Sequence, residues 1–359
     1  KQSLTLVAIF SICVSFVGIL GSPFLLATLS GDPEVVAQGI SYLRVFFAGL
    51  ILMALNFTIT TCLHGAGDTR TPLFIGLFSN TIKIGASYLL IFGIWGLPRL
   101  GVMGAALGTV VSRFFGLSIG LWVAHSGRYC FTFVPGTSFR PQPELTRRIL
   151  KVGVPSALQG LFRNGSNLVF VKLVALTASS TTAVAAFSIG NQMERVLRRT
   201  SLAFGTAATA LVGQDLGAGL PDKANQQGWT TLFVAVIVAM GLGLTVSLLA
   251  HPIMGLFTED PGVTAIGVLY LYAMAMAEPF MCTAIASGGG LRGAGDTLPP
   301  LYHTLIAQWL IRLPVAYLLA FPLGHDILGI WTSLVVFSAL QGGLTLRKYA
   351  KGEWKGKTI

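Results

Sequence analysis

Charge is what this sequence has least of. Only 10% of its 359 residues are Asp, Glu, Lys or Arg, against about 25% in an ordinary soluble domain. A conventional water-soluble enzyme is therefore not expected. Cysteine is also scarce: Cys13, Cys62, Cys130 and Cys282 show no CxxC spacing, and three of them lie in apolar runs, where cysteine acts as a small hydrophobe. That pattern supports neither a disulfide framework nor a zinc site. The five histidines, His64, His125, His251, His303 and His325, all fall near the ends of apolar runs. HExxH, an aspartate-rich diphosphate motif, GxxxxGK[ST] and a nucleophile elbow are all missing. Neither a metal nor a cofactor is expected, and the chain reads as a non-enzyme.

Apolar residues and glycine are abundant. Hydrophobic residues make up 53% of the chain, with 43 glycines, and the mean hydropathy is +0.74. Long apolar stretches recur at about 4–29, 38–63, 72–94, 101–124, 150–176, 183–211, 227–250, 263–287, 299–321 and 327–346. Each approaches the ~20 residues needed to cross a bilayer as a helix. The expected fold is an all-α integral membrane bundle, because a barrel would need short alternating strands. Gly104/Gly108 and Gly116/Gly120 are GxxxG pairs, read here as close helix packing.

The net charge of +11 follows topology. When the loops are assigned alternately to two sides, fourteen lysines and arginines collect on one, among them Arg70, Arg128, Arg147, Arg292 and Lys348, while Arg99 stands alone on the other. This asymmetry orients the chain with its basic side and C-terminus in the cytoplasm, as a multi-pass protein of the plasma (inner) membrane. The basic loops then lie near anionic lipid headgroups, and nucleic acid is not needed as a partner. The longest hydrophilic stretch, 125–151, carries three prolines and five basic residues. It divides the chain into a lobe at 1–127, a cytoplasmic linker at 128–149, a lobe at 150–348 and a basic tail at 349–359.

Gly65-Ala66-Gly67-Asp68-Thr69 returns 228 residues later as Gly293-Ala294-Gly295-Asp296-Thr297. The same offset pairs Asp32-Pro33 with Asp260-Pro261, Tyr42-Leu43 with Tyr270-Leu271, Pro72-Leu73 with Pro300-Leu301, Gly101 with Gly329 and Asn80 with Gln308. The chain carries an internal duplication. Helices 150–176 and 183–211 have no upstream counterpart at this offset, so the intact protein is expected to have two further helices, twelve in two lobes of six. With four helices in one lobe against six in the other, the 359-residue chain alone is expected not to be functional. Both GAGDT loops lie on the positive side, so the repeats are parallel, as in secondary transporters with a midplane site between lobes.

These residues resemble a known family. GAGDTRTPL (65–73) and LRGAGDTLPPL (291–301) resemble the paired cytoplasmic loops of the multidrug and toxic compound extrusion (MATE) family. AATALVGQ (207–214) followed by GAG (217–219) is similar to the end of that family's eighth helix, and AEPF (277–280) and RLP (312–314) fit its tenth and eleventh. The similarity spans essentially the whole chain, taken as helices three to twelve. It implies an antiporter that exports small cationic or amphipathic compounds in exchange for H⁺ or Na⁺ by alternating access. The alternative within the same superfamily is a flippase for a lipid-linked or anionic amphipathic substrate. A monomer, with a small-molecule substrate and the lipid bilayer as its partners, is expected.

The chain departs from the family's pattern at its ion sites. The best-attested coupling carboxylate of the family lies on a first helix that this chain does not contain. Fifth-helix Asn and Asp positions read Lys83 and Ser87, a seventh-helix Glu position reads Arg163, and a tenth-helix Asp position falls near Met281. Glu278 is one turn from Met281.

Charges inside hydrocarbon cost about 2.5–3.5 kcal/mol each even on insertion scales, so each invites a functional reading. Glu278 precedes Pro279, where the missing backbone donor loosens the helix; it is a candidate for proton exchange or substrate contact, or else a structural acid. Glu194 and Arg198 stand four apart and can pair on one helix face, while the neighbouring arginines could give a cavity positive potential. Asn80, Lys83 and Ser87 form one polar stripe, Ser156, Gln159, Arg163 and Asn167 a second, and Gln308 with Arg312 a third. Such stripes face protein or a water-filled cavity. Gln192 is a further cavity candidate. Lys83, Arg163 and Arg312 are fixed cations, able to stand in for a bound one. GAGDT itself reads as a tight turn, with Asp68 or Asp296 capping the next helix.

Overall fold

The computed structural model describes residues 1–29, 32–126, 142–177 and 180–356. Cys130, Arg128, Arg140, Lys357 and most of the expected linker lie outside the described residues. Every regular element among the described residues is helical, and the chain forms two compact units, Lys1–Ile149 and Leu150–Ile359.

The first unit contains α1 (Gln2–Leu29), α2 (Pro33–Ala48), α3 (Leu50–Gly65), α4 (Arg70–Phe92) and α5 (Val102–Ser126). Its small core gathers Leu4, Ile59, Leu63, Ile75, Leu117 and Val123. The second unit is built from α6 (Pro143–Ala175) from Leu150 onward, α7 (Ser180–Gly217), α8 (Pro221–Leu248), the short α9 (Ala250–Gly255), α10 (Pro261–Gly293), α11 (Leu298–Leu305), a π-helical turn (Ile306–Arg312), α12 (Leu313–Ala320) and α13 (Asp326–Ala350). An aromatic core of Phe170, Phe187, Tyr270, Trp331 and Phe337 holds it together. Large apolar side chains face outward, such as Phe10, Phe16 and Phe24 on α1 and Leu244 and Leu248 on α8, as helices bathed in lipid require.

The ten apolar segments read from the sequence all fall on helices, with two differences in form. Segment 38–63 is two helices bent by 44° at Gly49, a common cause of a sharp kink. Segment 299–321 is interrupted by the π turn just before Pro314, whose ring and missing N–H cannot continue a regular ladder. Among the described residues, seven helices are long and apolar enough to cross a membrane, or eight if the bent pair is one span. The helices α6 and α7 fall outside that set because amides and charges such as Gln159, Arg163, Glu194 and Arg198 lower their hydropathy.

The internal duplication has a structural counterpart. In both GAGDT turns the aspartate amide donates five residues back, Asp68 N to Leu63 O at 3.0 Å and Asp296 N to Leu291 O at 2.8 Å. Gly67 and Gly295 take φ of 86° and 74°, a conformation costly for residues with a Cβ. Asp68 Oδ1 then accepts from the Arg70 and Thr71 amides at 3.1 and 3.0 Å. Asp32 and Asp260, also paired by the offset, each cap a helix that begins with proline, accepting from Glu34 N at 2.9 Å and Gly262 N at 2.7 Å.

The segment after α13 folds back: Glu353–Gly356 forms a 3₁₀ turn. Trp354 is fully buried, stacked on Tyr349 at 5.0 Å and donating to Tyr349 O at 2.8 Å.

Candidate functional site

Within the second unit, α7 and α10 approach so closely that glycine is required between them. A Cβ on Gly293 would stand 2.5 Å from Thr209 O, and one on Gly289 would strike the Gly205 carbonyl. This contact of backbones lets small polar side chains of one helix reach the other. Ser201 of α7 donates to Glu278 Oε1 of α10 at 2.7 Å. Glu194 pairs with Arg198 one turn along α7, and its other oxygen accepts from the Tyr270 hydroxyl at 2.6 Å. Tyr270 can lie there because its ring occupies the space a Cβ on Gly190 would take, one turn before Glu194.

Arg312 enters the same core from the π turn. It is 6% exposed, and its guanidinium lies 3.8 Å from the centre of the Phe170 ring and 4.9 Å from that of Phe337. Its Nε has no hydrogen-bond partner, and it makes no ion pair among the described residues. Cation–π contact is what stabilises it. Arg312 and Arg198 are within electrostatic reach of one another. Two carboxylates and two guanidiniums thus share one buried region of a lobe, the kind of intramembrane charge set that is expensive to keep without a use.

Glu278 also sits where its helix is weakest. Pro279 has no N–H to give to Ala275 O, and neighbouring helices press against the exposed backbone there. A Cβ on Gly243 of α8 would be 2.9 Å from Ala275 O, and one on Gly342 of α13 would be 2.6 Å from Phe280 O. A change at this carboxylate therefore acts on a helix with fewer internal bonds and close contacts on two sides.

The remaining candidates are distributed differently. Gln159 donates to Pro300 O at 3.1 Å and to Thr304 Oγ1 at 2.8 Å, and Gln341 donates to the same hydroxyl at 3.0 Å, tying α6, α11 and α13. Gln308 is buried on the π turn with its Oε1 unpartnered. Arg163 and Asn167 are half-buried on α6; Arg163 is within electrostatic reach of Arg198 and Arg292. Gln192 is exposed, on a surface hollow with Met193, Val196 and Phe257. Asn80 and Lys83 belong to the first unit, exposed on α4, with Ser87 half-buried against Gly108.

Sequence reasoning passed over several participants. Tyr270, Ser201 and the aromatic pair around Arg312 have no local signal, since their partners lie on other helices. Arg113 did have one, being a charge inside the apolar run 101–124. With Asn56 and Ser79 it lines a cavity of about 870 Å³ in the first unit, where Asn56 Nδ2, Ser79 Oγ and Arg113 Nε have no hydrogen-bond partners. At the repeat offset its counterpart is Gln341.

A multi-pass helical bundle with an internal duplication and a buried charge cluster beside an intrahelical proline is the architecture of a membrane transporter. A family model described as MatE matches residues 1–89 and 155–318. The chain belongs to that family. It is 30% identical to the "Probable multidrug resistance protein NorM" of Thermotoga maritima over 331 residues, covering 91% of this chain and 70% of the relative. It is 27% identical to the "Uncharacterized transporter YisQ" of Bacillus subtilis, covering 96% of this chain and 75% of the relative. Its fold is similar to that of an outward-facing multidrug resistance MATE family transporter of the MOP superfamily, with a TM-score of 0.90 at 20% identity, covering 99% of this chain and 78% of that one. A MOP superfamily transporter of Pyrococcus furiosus, whose binding pocket is described as reversed in polarity, matches with a TM-score of 0.89 at 19% identity, over 99% of this chain and 78% of that one. The chain is a multi-pass transporter of small molecules.

Proposed function

We propose that this transporter is a secondary antiporter, exporting small cationic or amphipathic compounds from the cytoplasm in exchange for H⁺ or Na⁺ by alternating access. The GAGDT turns and the C-terminus face the cytoplasm of a cell bounded by its plasma membrane. The observation that carries the reading is Glu278, a buried carboxylate held by Ser201 beside the intrahelical Pro279 and sharing its surroundings with the Glu194–Arg198 pair. A carboxylate so placed gains or loses a unit charge in a low-dielectric core, on a helix that lacks one backbone hydrogen bond at Pro279. Multidrug names among the relatives support the substrate class.

One observation favours a second reading. Arg312 is a buried cation with no carboxylate partner among the described residues, and a core biased this way would suit an anionic amphipath, such as a lipid-linked headgroup, in a flippase. The test is efflux of ethidium from proteoliposomes of the full-length protein under an imposed pH gradient, then an imposed Na⁺ gradient, with Glu278→Gln alongside. Efflux driven by either gradient and lost in Glu278→Gln is the expected result. Ethidium unmoved by both gradients, with scrambling of anionic headgroups in the same vesicles, would favour the flippase.

A further inference from the structure

The space beside Glu278 is small. Its cavity offers about 20 Å³ to the centres of water molecules and is walled by Glu194, Arg198, Glu278, Ser338, Met281 and Phe337. A water needs about 10–15 Å³ on this measure, together with two or more polar partners, so the cavity has room for one. The polar groups on its wall are unevenly satisfied. Glu194 has one oxygen engaged by Arg198 and the other by Tyr270. Glu278 Oε1 takes the Ser201 hydroxyl.

Ser338 is different. It is 1% exposed and its hydroxyl has no hydrogen-bond partner. Elsewhere on α13 the buried hydroxyls bond back to their own helix, Ser333 to Ile330 O at 2.7 Å and Thr345 to Gln341 O at 2.8 Å. A buried hydroxyl without a partner costs free energy, and a water in this cavity would supply one.

Resting on the reading of Glu278 as the coupling carboxylate, we infer that its site is proton-specific: one water held by Ser338 delivers the proton, and Na⁺ is excluded. Hydronium of the bulk solvent gives up a proton to the water and is left as water, and the water passes a proton to the Glu278 carboxylate, so the carboxylate becomes a neutral acid and only O–H bonds are made and broken. Release runs the same steps in reverse. A proton needs no added volume. A dehydrated Na⁺ must replace its shell with several oxygens, yet among the described side chains of this wall only the second Glu278 oxygen and the Ser338 hydroxyl are uncommitted.

The charges facing the site also oppose Na⁺. From α7 come Arg198 and the Glu194 it pairs with, and Arg312 on the π turn reinforces Arg198. Arg163 of α6 is within electrostatic reach of Arg198 too. From α10 itself come Tyr270, already bound to Glu194, and the Cys282 thiol, which α8 engages through Ala235 O at 3.4 Å. A second cation in the cavity would share it with the Arg198 guanidinium.

Infrared difference spectroscopy of the full-length protein tests this directly, by following the carbonyl stretch of protonated carboxyls against pH in KCl and in NaCl. A band that disappears in Glu278→Gln should titrate at the same pH in both salts. An Na⁺ site of about 1 mM affinity would move that midpoint by about two pH units at about 100 mM salt, and such a shift overturns the exclusion. Ser338→Ala should raise the midpoint by about one unit, the effect of losing one hydrogen bond to an ionised group, whereas Ser333→Ala should leave it unchanged. Equal midpoints for the wild type and Ser338→Ala overturn the water relay, as does the absence of any band assignable to Glu278. Failure of the underlying reading looks different: Glu278→Gln would then export ethidium at the wild-type rate whatever the spectra show.

Discussion

The bond between Tyr270 and Glu194 can be weighed against the ion pair beside it. Tyr270 is fully buried, with its ring edge-on to Phe187 at 5.5 Å and Trp331 at 4.8 Å. Tyr270→Phe therefore keeps the packing and removes one hydroxyl. The lost bond is 2.6 Å long and ends on a carboxylate, a class worth about 1.5–3 kcal/mol. Glu194→Gln removes the charge that both Tyr270 and Arg198 address. Breaking a buried ion pair costs about 3–5 kcal/mol, and since the Arg198 side chain is 27% exposed, the low end applies. In the double variant the hydroxyl bond cannot be lost twice, so the combined cost should fall about 1–2 kcal/mol short of the sum. Reversible unfolding in mixed micelles, followed by tryptophan fluorescence, measures all four corners of the cycle. Additivity within about 0.5 kcal/mol would falsify the coupling and reduce the Tyr270 contact to packing.

Three further outcomes are expected. Gly289→Ala should push α7 from α10 and cost about 1–3 kcal/mol, the range for overpacking a tight interface, read as loss of folded protein in detergent. Trp354→Ala should cost about 3–5 kcal/mol in the second unit and expose the peptide bonds after Lys351 and Lys355 to trypsin in inside-out vesicles; unchanged cleavage would contradict an anchored segment. At Asp68, partial burial pushes the carboxyl up, but hydrogen bonds from the Thr71 side chain and from the Thr71 and Arg70 amides, with His64 nearby, outweigh it and hold it below the usual carboxylate value. Its contribution to stability is thus present above the ordinary carboxylate range and lost as pH falls through the lowered value. Asp68→Asn should flatten the acid limb of a stability–pH curve, and a limb of unchanged slope would show that Asp68 does not shape it.

Much of the fold is legible in the sequence because lipid imposes a simple rule, that each span satisfies its own backbone and presents apolar side chains. Hydropathy locates the helical segments even where, as in α6 and α7, charges dilute it. The duplication foretells a shared turn, and Leu63–Asp68 and Leu291–Asp296 share one hydrogen-bond pattern. The bend at Gly49 is not legible, since glycine occurs throughout these helices without bending most of them. Nor is the π turn, which depends on how Pro314 and the bulk of Trp309, bonded to Phe162 O at 2.9 Å, are accommodated together.

The same division runs through the candidate site. Glu194, Glu278 and Arg312 stand out in sequence as charges in apolar runs, and Glu194–Arg198 is fixed by helical spacing alone. Ser201, Tyr270 and Ser338 are silent there because their meaning comes from helices far away in the chain. Trp354 lies in what reads as a basic solvated tail, and only the stacking against Tyr349 shows otherwise. Asn80 and Lys83, one polar stripe by helical spacing, stand exposed on α4, and the sequence does not say what covers that face.

The central claim is that Glu278 links substrate movement to ion movement. The most direct measurement uses proteoliposomes of the full-length protein loaded with a pH-sensitive dye, with no pH or Na⁺ gradient imposed, to which an ethidium gradient is applied. Ethidium moving down its gradient should drive protons the other way and change the internal pH, and Glu278→Gln should abolish that change. Proton movement of equal size in Glu278→Gln, or ethidium movement in the wild type with no proton flux at all, would contradict the account.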